Sequence, residues 1–159
     1  MPPNLQVFFE KNNIQYKLYT HPALFTCEDA EKHGLEMEGI AAKSLFLKNS
    51  NTEYFLILLP ATTKLDIKSF ALGIGLKRLS FASEEELMNI LGLTIGSVSP
   101  FGLLNDREKK TKLFIHPEIW TSEKVTFHPN VNTETVEMDH DEFEKCLNLF
   151  GCTYSILSV

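Results

Sequence analysis

The chain has 159 residues, 43% of them hydrophobic and 23% charged, and a formal net charge of −6. That length suits one domain able to bury a core, and the acidic balance argues against a broad nucleic-acid-binding face. No apolar run approaches the ~20 residues of a membrane helix, and Cys27, Cys146 and Cys152, with no CxxC pair among them, argue against a disulfide framework and suit a reducing cytoplasm.

Met1-Pro2-Pro3-Asn4 has neither the charged nor the apolar block of a secretion signal. Leu5, Phe8 and Phe9 then fall at helical spacing over Leu5–Lys11, and Asn12-Asn13 ends that helix. Ile14 to Tyr19 alternates as a strand, broken by His21-Pro22. Thr26-Cys27-Glu28-Asp29 offers an N-cap and an acidic first turn for a helix stopping at Gly34. Ala41 to Lys48 and Glu53 to Leu59 read as strands joined by the turn Asn49-Ser50-Asn51-Thr52, an antiparallel hairpin. The second strand is nearly all apolar and therefore central. Asp66 to Leu72 reads as a short helix closing at Gly73, and Arg78 to Phe81 as a short strand. Ser83-Glu84-Glu85-Glu86 is a capping box opening a helix that ends at Gly92.

Gly96 to Asp106 follows as a loop. Leu113 to Ile115 and Lys124 to Phe127 are strands, each ended by a His-Pro pair, and Thr133 to Val136 is another. Asp139 to Phe150 is a helix with Phe143, Cys146, Leu147 and Phe150 on one face, stopped by Gly151, and Tyr154 to Leu157 closes the chain as a strand. Interleaved strands and helices around an antiparallel hairpin predict an α/β (mixed α+β) fold. The expected form is a curled, barrel-like mixed sheet with helices packed outside, a single domain over residues 1–159.

The loop Gly96-Ser97-Val98-Ser99-Pro100 concentrates two serines, a glycine and a proline in five residues. Such a loop can aim several backbone N–H groups at one point, as phosphate- and oxyanion-binding loops do. Lys43 sits in an otherwise apolar strand, where an unpaired charge is costly; it is either on the wet face or a cation at a pocket mouth, gripping a phosphate or carboxylate. His128 ends a strand and titrates near neutral pH. Ser97 and Ser99 have no G-x-S-x-G elbow and no acid–base partner arranged for them. Neither a Walker loop nor a metal-ligand spacing of histidines and cysteines is present. Ile40 to Lys112 carries ten basic against seven acidic residues, so a local basic face beside the loop is compatible with the acidic whole.

Taken together, Gly96-Ser97-Val98-Ser99-Pro100, Ala42-Lys43-Ser44-Leu45-Phe46-Leu47 and Phe127-His128-Pro129-Asn130 resemble the YbaK/prolyl-tRNA-synthetase-associated editing domains. Tyr19-Thr20-His21-Pro22, Arg78-Leu79-Ser80-Phe81-Ala82-Ser83 and Phe101-Gly102-Leu103-Leu104-Asn105-Asp106 are similar to the branch of free-standing Ala-tRNA(Pro) deacylases. The likeness runs from about Phe8 to Phe150.

It implies a trans-editing, cytoplasmic, monomeric ester hydrolase that uses no metal or other cofactor. The partner it implies is the acceptor end of tRNA(Pro) carrying a wrong amino acid, with prolyl-tRNA synthetase as a further partner. It implies that the backbone of Gly96, Ser97, Val98, Ser99 and Pro100 holds the aminoacyl group and its carbonyl. Lys43 would orient the terminal nucleotide through its phosphate, a tRNA ribose hydroxyl would help to activate water, and His128 would sit by the pocket. Asn105, Thr20 and His21 are further pocket candidates, and Leu45, Phe46 and Ile57 candidate floor residues. The alternatives are a Cys-tRNA(Pro) deacylase of the same family, a non-catalytic module holding tRNA or a synthetase, and a serine hydrolase using Ser97 or Ser99.

Overall fold

The strand Tyr54–Pro60 (β3) is buried at every residue, as a run of Tyr, Phe, Leu and Ile without polar alternation requires, because both of its faces must be covered. The computed structural model describes residues 1–23 and 37–158 and sets β3 inside an eight-stranded sheet. The helix expected over Thr26 to Gly34 lies outside the described residues.

The other strands are β1 (Lys17–Thr20), β2 (Ile40–Lys48), β4 (Ser80–Phe81), β5 (Thr111–Ile115), β6 (Lys124–Phe127), β7 (Glu134–Asp139) and β8 (Thr153–Ile156). Their order is β1-β7-β6-β2-β3-β5-β8, with β4 paired to β2. The β2–β3 hairpin is antiparallel, with Lys43 opposite Leu59 and Leu47 opposite Phe55. β2 runs parallel to β6, and β3, β5 and β8 run parallel to one another. The sheet is therefore mixed. One edge of β2 pairs with β6 through Ile40 and Ala41 and with β4 through Leu47 and Lys48. Splitting one edge between two partners forces the neighbours apart and curls the sheet.

Local sequence accounts for the helices. In α1 (Pro3–Lys11) a proline opens the first turn, where its missing N–H costs nothing, and Leu5 and Phe9 are buried. Asp66 caps α2 (Ile67–Gly73) by accepting from the Ser69 N–H. Ser83 and Glu86 form the reciprocal capping box of α3 (Glu84–Leu91), and Gly92 ends that helix at φ 67°. α5 (His140–Phe150) buries Phe143, Cys146, Leu147 and Phe150, the stripe its spacing predicts.

Three elements differ from the sequence expectation. β1 begins at Lys17 rather than Ile14, because Ile14 turns into the core instead of joining the ladder with β7. His116 does not merely end β5: its ring accepts from the Glu118 N–H and caps a short helix, α4 (Pro117–Trp120). Pro100–Asn105 is a 3₁₀ helix rather than open loop. Pro100 sets the first turn, Ser99 caps it through a 3.1 Å bond from the Phe101 N–H, and Phe101 and Leu103 are buried beneath it.

Two apolar clusters lie on opposite faces of the β2–β3 hairpin. The larger includes Phe46, Leu56, Leu58, Phe101, Phe127 and Phe143. Phe101 meets Phe9 and Phe127 edge-on, both at 87°, so the 3₁₀ helix is keyed into this core. The smaller joins Leu47, Phe55, Ile57 and Leu59 to Phe70, Ala71 and Leu79. No helix among the described residues is long and apolar enough to cross a membrane.

Candidate active site

Successive side chains of a strand point to opposite faces, and paired residues share a face. In β2, Ala42, Ser44 and Phe46 lie on the face of the larger cluster, while Ala41, Lys43 and Leu45 lie on the other. The pairings Ala41–Thr126, Thr126–Glu137, Glu137–Lys17 and Thr135–Tyr19 carry that second face across β6, β7 and β1. Its polar part therefore collects Tyr19, Lys43, Thr126, Thr135 and Glu137. Lys43 stands where this part meets the smaller apolar cluster, opposite Leu59.

His128 comes to Lys43 through the one stretch where β2 and β6 run side by side. Ala41 pairs with Thr126 in parallel, and Lys43 and His128 each lie two residues further along. Continuing that register sets Lys43 on β2 level with His128, the residue just past the end of β6, although the sequence separates them widely.

The hydrogen bonds assign both histidine tautomers. A carbonyl oxygen only accepts, so the 3.0 Å contact with the Glu134 carbonyl puts the proton of neutral His128 on Nδ1. Its Nε2 is then an acceptor. Burial holds the His128 pKa below the ordinary histidine value; the bond to Glu134 opposes this and the nearby His21 adds to it. At neutral pH the ring is uncharged. His21 donates from Nδ1 to the Pro22 carbonyl at 2.8 Å and accepts at Nε2 from the Thr135 hydroxyl at 2.8 Å. Both of its nitrogens are committed, so it buttresses His128, 6.2 Å away between ring centroids. Glu137 is 4% exposed and accepts from the Gly39 N–H at 2.8 Å and the Tyr19 hydroxyl at 3.3 Å. A Cβ at Gly39 would stand 3.0 Å from Thr126 Cγ2, so glycine is what lets β2 start this close to β6.

The loop from Gly96 to Pro100 approaches the end of β6 through the turn that follows His128. A Cβ on Gly96 would lie 3.8 Å from Asn132 Nδ2. Gly96 has φ 90°, a conformation that disfavours any side chain. The Ser97 N–H bonds the Thr94 carbonyl, whereas the N–H groups of Gly96, Val98 and Ser99 make no hydrogen bond with the described residues. Three donors in one short loop can receive a carbonyl or phosphate oxygen. Ser99 is fully buried and spends its hydroxyl as a helix cap, and no histidine or carboxylate among the described residues hydrogen-bonds the Ser97 hydroxyl.

Lys43, His128, His21 and the loop are thus brought to one region. Thr20 is not: it pairs with Glu134, on the face away from Thr135 and His21, and is exposed. Asn105 donates to the Leu91 carbonyl at 2.8 Å and accepts from the Asn4 side chain at 3.0 Å, bracing the 3₁₀ helix against α3 and α1. Leu45 and Ile57 share the face of Lys43, while Phe46 faces the larger core and stacks on Tyr54. Thr135 and Glu137 were not singled out from the sequence. Thr135 lay in the strand expected over Thr133 to Val136 and Glu137 just beyond it, and alternation along a strand does not say which face is the site.

Comparison with known proteins gives this arrangement its kin. The aminoacyl-tRNA editing domain family matches residues 21–146. The chain is 33% identical over 147 residues to the prolyl-tRNA editing protein ProX of Acetoanaerobium sticklandii, covering 92% of this chain and 90% of that one. It is 28% identical over 116 residues to the multifunctional Ser/Thr-tRNA deacylase ProXp-y of Escherichia coli K12, covering 71% and 67%. A solved structure described as a candidate trans-editing enzyme for prolyl tRNA synthetase superposes with TM-score 0.71 at 18% identity, covering 100% of this chain and 99% of that one. A match over most of the described sheet and its loop, together with a full-length relative at this identity, places the chain in the aminoacyl-tRNA editing domain family.

Proposed function

We propose that the chain is a trans-editing deacylase that clears alanine wrongly attached to tRNA(Pro). As a family member it is an aminoacyl-tRNA deacylase, an ester hydrolase. The finer reading is supported above all by one observation: Lys43 and neutral His128 share a strand-end region with a loop offering three N–H groups that have no partner among the described residues.

In this reading the Lys43 ammonium grips the phosphate of the terminal nucleotide. The loop N–H groups receive the ester carbonyl, where negative charge grows as water attacks. His128 Nε2 accepts a hydrogen bond from the bound aminoacyl adenosine. A ribose hydroxyl of the tRNA assists the water, which accounts for a site without a nucleophile–base pair among its described side chains. Water adds to the carbonyl carbon, the ester C–O bond breaks, and the oxygen leaves as a ribose hydroxyl, releasing free alanine.

The selective logic is a second sieve. A synthetase pocket sized for proline rejects a smaller side chain only weakly, since a missing methylene is worth ~1–3 kcal/mol. A separate pocket can admit the small group and exclude proline by shape. Leu45, on the face of Lys43, is an apolar candidate for its wall.

The deciding experiment measures release of amino acid from Ala-, Cys-, Ser- and Pro-tRNA(Pro) at equal enzyme concentration. Fast loss of alanine with proline retained is the expected result. Preferential loss of cysteine or serine keeps the chemistry and changes the substrate, serine being included because the Escherichia coli relative is named for Ser/Thr-tRNA. No loss from any of them overturns the reading in favour of a binding module. Lys43→Ala is expected to lower kcat/KM about 10–100-fold, the worth of ~1.5–3 kcal/mol for a charged hydrogen bond, while thermal stability stays close to wild type. Full activity in that variant removes the assigned role.

A further inference from the structure

The turn between His128 and Asn132 contains a side chain that nothing in the fold explains. Asn130 is 9% exposed, and neither its Oδ1 nor its Nδ2 has a hydrogen-bond partner among the described residues. Buried polar atoms are almost always paired, and an orphaned group pays its full desolvation penalty. Two other side chains are orphaned in the same sense, Thr111 at its hydroxyl and His140 at Nδ1. Among the described residues only Asn130 has both ends of a buried carboxamide unpaired.

Its backbone is unusual too, with φ 64°. Asparagine tolerates this left-handed conformation better than most residues, so a turn requirement explains part of the choice. Glycine would meet that requirement without burying an amide.

The position is two residues after His128, whose Nε2 is an acceptor, and two before Asn132, which lies against Gly96. We infer that Asn130 is a substrate-binding residue, its carboxamide turning toward the space between His128 and Gly96 to bind the aminoacyl end of the substrate. This rests on the editing reading above. The chemistry matches. A carboxamide offers two N–H donors and one oxygen acceptor, while an aminoacyl ester presents an ammonium to donate and a carbonyl and ribose hydroxyl to accept.

The test is Asn130→Gly, which keeps the left-handed backbone and removes only the amide, assayed on Ala-tRNA(Pro). Thermal denaturation with and without 3′-alanylamino-3′-deoxyadenosine, a non-hydrolysable probe, gives a second readout. The expected result is a fall in kcat/KM of tenfold or more, loss of the probe-induced rise in Tm, and a Tm without probe at or above wild type. Wild-type kcat/KM and an undiminished probe shift in Asn130→Gly overturn the inference and leave the editing reading standing. A wild-type protein that neither deacylates nor responds to the probe overturns both. If it binds the probe without deacylating, the probe shift in the variant alone decides. Should Asn130→Gly fail to fold, Asn130→Asp takes its place: it keeps an acceptor for the ammonium and loses the donors to the carbonyl and ribose hydroxyl, so kcat/KM is expected to fall tenfold or more, and a wild-type kcat/KM overturns the inference.

Discussion

His128 shows how one residue's surroundings set its chemistry. Nδ1 is tied to the Glu134 carbonyl and burial disfavours the charged ring, so Nε2 presents a lone pair at neutral pH. Its folded-state pKa is depressed, so the unfolded chain binds the proton more readily than the folded one. The associated stability is fully present above about pH 6.5, the ordinary histidine value, and is lost as pH falls through the lower folded value. The same titration should shape catalysis. The kcat/KM profile is expected to have an acid limb below about pH 6.5, and His128→Gln should remove that limb as well as lower activity. A limb at higher pH, or one that persists in the variant, would assign it to another group. Lys43 and His128 were both legible in sequence, one as a charge in an apolar strand and one as a titratable strand end. Their adjacency was not, because it depends on the parallel register of β2 with β6. His21 was legible as a candidate, but only the Thr135 and Pro22 contacts reveal a fully committed ring.

At the scale of elements, α3 is held by more than its cap. Glu86 closes the capping box and also accepts from Lys48 at 2.8 Å and from the Tyr54 hydroxyl at 2.5 Å, joining the helix to β2 and β3. The bond from Lys48 first, then that from Tyr54, hold its carboxyl at a pKa of about 2. The Glu86 bond in turn raises Tyr54 to about 12. A depressed carboxylate contributes stability that is present above its unfolded pKa and disappears as pH falls through the folded one. Glu86→Gln is therefore expected to cost about 1–2 kcal/mol at pH 7, with the gap to wild type closing between about pH 4.5 and 2. Denaturant melts across that range check it, and a pH-independent gap would mean that packing rather than charge is lost. The capping box was readable because it is a local pattern. Its second use was not, since nothing in Ser83-Glu84-Glu85-Glu86 specifies Tyr54. The 3₁₀ helix at Pro100–Asn105 was likewise missed because its warrant is tertiary: Phe101 must reach Phe9 and Phe127.

At the scale of the whole molecule, the acidic net charge of −6 limits how much nucleic acid the protein can grip. Each phosphate neutralised adds ~0.7–0.9 to the slope of log affinity against log salt. A protein engaging only the acceptor end is expected to show a slope of magnitude ~2 or less in kcat/KM. A slope of many ions would reveal a phosphate-binding surface beyond Lys43 and the loop.

The sequence by itself determined the short-range features of this protein. Helix caps, the β2–β3 hairpin, the apolar central strand, the α5 stripe and the kinship carried by Lys43, Gly96 to Pro100 and His128 all depend on residues near one another or on a pattern along the chain. Only the tertiary structure decided strand order, the parallel meeting of β2 and β6, which face Lys43 shares, and that Thr20 falls on the other side. Those outcomes turn on the register of strands far apart in sequence, and a shift of one residue moves every side chain to the opposite face.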